Sequence, residues 1–503
     1  MTRGMPVRAA ALRLHMRPWY SAFAAKAFIT LNVTAKALHM RPWYSAFAAL
    51  IALSACSASS ATKPASGSAV ADLDVGARPV GAAPAAPAPA PATPAPASEA
   101  PAAAGAPAPA AGAPAAGAPA APAAPAPAGM DFIDDAKLLF RVAACGNADA
   151  PLPPELGAGD AKAADAIGKS VERHCKWILE QIKKFRAAYF ERHRAWFAAV
   201  VPKEHKTVVY PFGGGDLLSA LVAFPDATEI TTISLEQAGD PRRLRKLKPW
   251  QIETSLGALR GEIGGLIQVG SNTSENLSKQ QVNELPGQVS SFLLGLVAGG
   301  FEPVSMRYFR IADDGELSYI EQADLEALDA KRSKKLKHDW ESPNFSEAFQ
   351  HVEIQYRKPG EPGVRVHRHI GWNLGDDYMK KNPQLLRHLE KKGKVVLLTK
   401  GASYLLWRGD FSLIRKYMLD HLTWMLSDST GIPPGIARRA GMVQETYGTF
   451  GGAFLEGAQD NETETQFLEL WRKNPRRPLA FRFGYVDKDG APHLMVTRPK
   501  AKP

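Results

Sequence analysis

The chain has 503 residues, 45% of them hydrophobic and 22% charged, with 40 prolines, 42 glycines and 3 cysteines. That composition is globular but diluted by low-complexity sequence, and so few cysteines exclude a small disulfide-framed fold. The formal net charge of +11 is uneven: residues 1–55 hold seven Lys/Arg and no acid, whereas 130–503 hold 52 bases against 47 acids. So small an excess is a weak footprint for nucleic acid, and the basic runs 242–248 and 331–337 read as solvated faces rather than binding patches.

Residues 14–25 and 38–49 are identical letter for letter. Solenoid repeats are longer and diverge, so the pair reads as a duplication ahead of a start at Met40, and 1–39 are set aside. From Met40 the chain shows one cation, Arg41, an apolar core over 43–53, and Leu53-Ser54-Ala55-Cys56. The core is shorter than the roughly 20 apolar residues that span a bilayer. This tetrapeptide resembles the lipobox of bacterial lipoprotein precursors. The resemblance implies a signal peptide over 40–55, acylation of Cys56, and a membrane partner reached through that lipid anchor. Ser57 resembles outer-membrane sorting, which implies an outer-membrane-anchored envelope protein facing the periplasm or the cell surface. The alternatives are an organellar transit peptide or a buried cysteine in an ordinary apolar run.

Residues 56–129 are dominated by Ala, Pro, Gly and Ser. They hold too little apolar surface to offset the entropy of ordering, so they are expected to act as a disordered tether. Polyproline II at about 3.1 Å per residue gives it a reach on the order of 200 Å at full extension.

A helical extension is expected over 130–205. The pattern predicts a short helix over 131–145, ended by Gly146, then a long one over 161–200. Its apolar seam is Ile167, Val171, Cys175, Ile178, Ile182, Phe185, Tyr189 and Trp196, in steps of three and four interrupted only by Arg192. With Cys56 lipidated, Cys145 and Cys175 remain, one per helix. In an oxidising compartment they read as a disulfide, the alternative being two buried thiols.

Residues 206–503 are expected to form an α/β domain with a Rossmann-like βαβ unit in a mixed sheet. Residues 207–212 read as a strand, Gly213-Gly214-Gly215-Asp216 as a turn, 217–224 as a short helix, and 229–235 as a second strand ending at Glu236. That outline matches nucleotide- and methyl-donor-binding units, where glycines let backbone amides approach a ligand at a helix N-terminus and the acid holds a ribose. The fingerprint spacing is absent, however, the helix is short, and Asp216 puts a negative charge where a phosphate would sit, so it is more economically a helix N-cap.

Residues 349–357 and 364–372 alternate as two strands of a hairpin around Pro359-Gly360 and Pro362-Gly363. His367 and His369, at i and i+2, are positioned to share a metal completed across the hairpin by His351 or Glu353. The blander reading makes these residues the hairpin's solvent face, with Val352, Ile354, Tyr356, Val364, Val366 and Ile370 facing the core. Arg365 and Arg368 oppose a cation.

Further on come Lys400-Gly401-Ala402-Ser403-Tyr404-Leu405, a helix expected over 411–426 with Ile414, Met418, Leu422 and Met425 on one face, and Asp428-Ser429-Thr430-Gly431-Ile432-Pro433. Residues 479–486 and 493–497 read as a closing hairpin. With Tyr210-Pro211-Phe212, Ser234-Leu235-Glu236 and Tyr447-Gly448, these motifs resemble an uncharacterised family of exported bacterial proteins, in matching order from Lys206 to Val496. The chain departs from that family at Gly214-Gly215, Ser427 and Thr430. The resemblance implies architecture and motif importance, not an activity.

The motifs read first as turns and caps. The functional alternative gathers Gly213, Gly214, Gly215, Asp216, Glu236, Ser403, Tyr404, Arg415 and Asp428 at the strand ends, where α/β sheets bind ligands. The sequence names no cofactor and no catalytic triad. Its leading reading is a non-catalytic binding or envelope-organising lipoprotein with a protein or small-molecule partner. The other is a ligand receptor or enzyme using the Asp216/Glu236 cleft, with a methyltransferase-like outline. A polar cleft holding a perturbed carboxyl favours the second; a filled, dry strand end favours the first.

Overall fold

Short runs of β-branched and leucine residues, apolar on both faces, make a sheet that must be covered on both sides. The computed structural model describes residues 129–501 except 154–155, 157–159, 205, 268–284, 286, 333–345, 453–460 and 485–490. The duplication, the signal peptide, Cys56 and all of the Ala/Pro tether up to residue 128 lie outside the described residues. The sheet has ten strands: β1 Thr207–Pro211, β2 Glu229–Ser234, β3 Glu302–Ile311, β4 Leu317–Tyr319, β5 His351–Arg357, β6 Arg365–Gly371, β7 Val395–Thr399, β8 Leu422–Ser427, β9 Met442–Gly448 and β10 His493–Pro499. Their order is β4-β3-β5-β6-β2-β1-β7-β8-β10-β9. The centre, β6-β2-β1-β7-β8, is parallel, and antiparallel strands extend it on both sides. The fold is α/β with a mixed sheet, and β1, its following helix and β2 form the expected parallel βαβ unit.

The described helices are α1 Ile133–Val142, α2 Ala161–Phe185, α3 Glu191–Val200, α4 Leu217–Ala223, α5 Pro249–Ile267, α6 Gly287–Gly299, α7 Gln322–Ala330, α8 Asp376–Lys381, α9 Gln384–Glu390, α10 Ser412–His421, α11 Pro434–Arg439 and α12 Asn461–Lys473. Val208 and Tyr210 of β1 face one core with Leu217 of α4 and Phe292 of α6, while Val209 faces the other with Leu385 of α9 and Ile414 of α10. Helices α2 and α3 are continuous through a π-helical turn, Arg186–Phe190. The expected seam through Ile167, Val171, Cys175, Ile178, Ile182 and Phe185 is buried, and a disulfide joins Cys145 to Cys175.

Three expectations need correction. The helix over 411–426 stops at His421, and Leu422–Ser427 continues as β8. Leu422 and Met425 are therefore strand residues, and the β-branched and aromatic content of Thr423-Trp424 favours that state. The closing hairpin is not formed by local pairing: 479–484 is irregular, 485–490 lie outside the described residues, and β10 pairs with β8 and β9 instead. The β5–β6 hairpin has no solvent face. It lies inside the sheet between β3 and β2, so His351, Glu353, His367 and His369 are all buried.

Candidate functional site

The parallel strand order reverses at β1. The chain runs outward from β1 to β2 and β6, then returns to the other side of β1 as β7 and β8. The edge beyond the carboxyl ends of β1 and β7 is therefore the switch point where open α/β sheets place ligands. Two of the sequence motifs end there: Phe212–Asp216 after β1 and Lys400–Ser403 after β7.

The turn after β1 is tight. Phe212 has φ +61° and Gly214 φ +50°. A bulky side chain in the left-handed region is a genuine outlier of the kind that collects at functional sites. A Cβ on Gly213 would approach the Tyr210 carbonyl at 2.9 Å, and one on Gly215 would collide with Gln288 Oε1. Asp216 caps α4, its Oδ1 accepting from Ser219 N at 3.1 Å. Its Oδ2 accepts from Lys400 Nζ at 2.9 Å and Tyr210 OH at 3.1 Å, and Lys400 also donates to Ser219 Oγ at 2.9 Å. Burial, then the Asp216 charge, push the Tyr210 phenol well above its ordinary pKa. This cluster closes on itself, so Asp216 is a cap and an ion-pair partner.

The end of β2 is different. Glu236 is 3% exposed, and no cation pairs with it among the described residues. Burial raises its carboxyl above the ordinary range, offset in part by Ser234 and its own amide. Ser234 Oγ lies near that carboxyl without a well-formed hydrogen bond, and Gln237 Oε1 and Gln288 Oε1 are also buried with no partner. A Cβ on Gly214 would sit 3.7 Å from Glu236 Oε1. The glycine turn is thus flanked by Glu236 on one side and Gln288, from the first turn of α6, on the other.

The floor beneath Glu236 is a buried histidine chain. His369 Nε2 meets Glu236 O at 2.8 Å, and Thr232 Oγ1 bridges His369 Nδ1 at 3.1 Å and His367 Nε2 at 3.0 Å. A carbonyl only accepts, so His369 Nε2–H donates to it and His369 Nδ1 accepts from Thr232. Thr232 then accepts from His367 Nε2–H, leaving His367 Nδ1 bare, and that atom is buried without a partner. Both rings are neutral: burial lowers His369 to about 4 and His367 well below its ordinary value.

This register overturns the metal reading. His351 pairs with Ile370, Glu353 with Arg368, Val352 with His369 and Ile354 with His367. Directly opposed residues share a face, so His351 and Glu353 lie on one side of the sheet and His367 and His369 on the other. Glu353 is occupied by Arg368 Nε at 2.8 Å and Tyr319 OH at 2.7 Å. No group of three or more metal-ligating side chains occurs among the described residues.

The β7–β8 end is filled by protein. Asp428 accepts from Gly401 N at 3.1 Å and Thr430 N at 2.8 Å, and also from the Thr430 hydroxyl, which meets Ser403 Oγ at 2.8 Å. Thr399 Oγ1 and Ser427 Oγ remain without partners there. Tyr404 packs against Trp407 and Phe467, and Arg415 holds the Leu406 and Arg408 carbonyls at 2.6 and 2.8 Å. Of the residues expected to converge, the three glycines, Asp216 and Glu236 do so, Ser403 and Asp428 form the adjoining network, and Tyr404 and Arg415 serve the 401–408 turn.

The sequence missed Lys400, Gln237, Gln288 and the strap above. Residues 481–484 cross this edge, with Gly484 (φ +76°) packed directly against the Asp428 carboxylate and Phe483 5.9 Å from Lys400 Nζ. Tyr189 OH and His193 Nε2 both hold the Arg482 carbonyl, fixing the strap to the π-helical turn and the start of α3. Lys400 was legible as the residue opening its motif; Gln288 carried no local signal.

The fold and site define an α/β protein with buried, partly unmatched polar groups beyond the strand ends beside its switch point. No family model, curated protein or solved structure matches the chain. Among the described residues no helix is long and apolar enough to cross a membrane.

Proposed function

We propose that this chain is an envelope lipoprotein, anchored through Cys56 and carried on its Ala/Pro tether, whose α/β domain binds a small molecule at the carboxyl ends of β1 and β2. The observation that carries the binding reading is the buried, cation-free Glu236 carboxyl beside two glutamine amide oxygens that have no partner. A buried polar group left unmatched costs roughly 1–3 kcal/mol, so Ser234 Oγ, Gln237 Oε1 and Gln288 Oε1, none of which has a partner, are together a substantial cost unless a ligand completes them. An envelope-organising role would be served as well by a filled strand end. The Leu53–Cys56 motif and the resemblance to exported bacterial proteins support the anchor.

Two measurements test the two halves. Cys56→Ala is expected to move the chain from the membrane to the soluble fraction; retention at the membrane contradicts the anchor. Native mass spectrometry of the full chain, extracted from its host in mild detergent, is expected to show a bound small mass that Glu236→Ala removes. A bare wild-type mass would sink the binding reading.

A further inference from the structure

We infer that the β9 end of the sheet is a docking face for an anionic phospholipid bilayer, a second membrane contact besides the lipid on Cys56. This rests on the anchored half of the reading above and adds which side of the domain meets the membrane.

The surplus of bases over acids in 130–503 is small, but the fold collects it. Arg438 and Arg439 end α11, and Arg472 and Lys473 end α12. Arg476 and Arg477 follow α12, and Arg498 and Lys500 stand at the end of β10. Helix α11 packs on β9 and on α12, and Lys500 N donates to Gly441 O at 2.9 Å, just beyond α11. Residues 474–477 run along the outer edge of β9: Asn474 Nδ2 donates to Gln444 O at 3.1 Å, and Gly448 N to Arg477 O at 2.8 Å. All four groups therefore meet at the last strand of the sheet. Across 434–448, 469–478 and 498–500 there are eight bases and two acids, a surplus of six where 130–503 as a whole has five. The two acids take one base each, Glu469 with Lys473 and Glu445 with Arg498. Arg438, Arg439, Arg472, Arg476 and Lys500 are exposed, and none pairs with a carboxylate among the described residues.

Bases in the last turn of a helix complement its dipole, which accounts for α11 and α12 one at a time. It does not account for Arg476, Arg477 and Lys500 at the same edge. Six of the eight bases are arginines, whose forked guanidinium matches phosphate oxygens two at a time. The seven residues of β9 make the row about 20 Å long, far more than one phosphate needs and suited to a plane of headgroups. The tether supplies the reach. Residues 130 and 131 join the sheet at its opposite end, Met130 N donating to Ile320 O at 2.9 Å and Asp131 bridging to Arg307 of β3. Ten strands about 4.8 Å apart put that point roughly 43 Å from β9. As a flexible coil, the roughly 70 residues expected to form the tether span about 40–50 Å root mean square. That length lets the far edge turn to the membrane, which a linker of a few residues would not.

The test uses the full chain, reconstituted into vesicles of phosphatidylcholine alone or of phosphatidylcholine and phosphatidylglycerol in equal parts. Arginines are labelled with phenylglyoxal and read by mass spectrometry. Phosphatidylglycerol is expected to slow labelling of Arg438, Arg439, Arg472 and Arg476 by about fivefold or more, the scale of a single basic contact with an anionic surface. Arg310, near the tether end, should be unchanged, and high salt should restore labelling at the edge. Arg472→Gln combined with Arg476→Gln replaces two exposed, unpaired side chains and is expected to restore labelling at Arg438 and Arg439. Equal labelling in the two lipids, or slowing at Arg310 instead, overturns the docking face. Slowing by an added DNA duplex and not by phosphatidylglycerol also overturns it, assigning the edge to a different polyanion. Retention on phosphatidylcholine vesicles at high salt reports the anchor separately: a chain that washes off there, yet is slowed by phosphatidylglycerol at low salt, loses the anchor and keeps the face.

Discussion

Two carboxyl groups sit at the same edge of one sheet and are treated in opposite ways. Asp428, after β8, accepts two backbone amides and a hydroxyl and is pressed by Gly484. Glu236, after β2, is also buried, pairs with no cation among the described residues, and lies beside glutamine amide oxygens that have no partner. Both stand just beyond the end of a strand, in motifs that the sequence singles out. The difference teaches that a carboxyl in a turn motif is assigned by its partners: Asp428 builds the loop, and Glu236 is left for the ligand proposed above.

Asp428→Ala gives the largest expected effect. Removing the carboxylate deprives Gly401 N and Thr430 N of their acceptor, while the Thr430 hydroxyl keeps Ser403 Oγ, so at roughly 1–3 kcal/mol each a loss of about 3–5 kcal/mol is expected. Urea unfolding should show it, and a loss under 1 kcal/mol would erase the contrast. Breaking the Cys145–Cys175 bridge, whose cysteines are 30 residues apart, is expected to cost about 3–4 kcal/mol by loop-closure entropy. Cys175→Ser checks this by the same measurement and should leave ligand occupancy untouched.

Gly215→Ala comes next. The added methyl collides with Gln288, so a loss of about 1–3 kcal/mol is expected, together with loss of the bound mass. Retained binding would place the ligand elsewhere.

Acid sharpens the comparison further. Burial lowers His369, His388, His174 and His193 to about 4 and His351 to about 3. Each is neutral when folded and binds a proton more readily when unfolded. Their contribution is therefore fully present above the unfolded value near 6.5 and is lost as pH falls toward 4, on the order of 1 kcal/mol or more per residue. Glu236, raised by burial, has the opposite sign, favouring the fold as pH falls through its range. The histidines outnumber it, so unfolding midpoints should drop between pH 6.5 and 4, and a flat profile there would contradict the neutral histidine chain. The smallest effect is Glu236→Gln on the ligand-free chain, expected within about 1 kcal/mol of zero because no ion pair is lost and the amide oxygen still accepts.

Much of this architecture was legible. Residues 207–236 announced a strand, a glycine turn, a capped helix and a second strand, because each segment is local and its period is clear. The disulfide followed from cysteine parity. The hairpin failed for a long-range reason: alternation between 351 and 369 shows which residues share a face within one strand, but only the register between strands shows that His351 and His367 face opposite ways. Leu422–Met425 failed because its apolar spacing fits a helix seam and a buried strand equally. Gln288 and the 481–484 strap were invisible because nothing local marks them; they reach the glycine turn and Asp428 only through the packing of α6 and of the π-helical turn.

Hydrogen exchange by mass spectrometry tests the contrast most directly, comparing the chain as isolated with the same chain stripped by unfolding in urea and refolding. The account predicts lost protection at 214–216, 234–239 and 287–291, with 399–403 and 427–431 unchanged. Equal loss at both ends, or none at either, would contradict it.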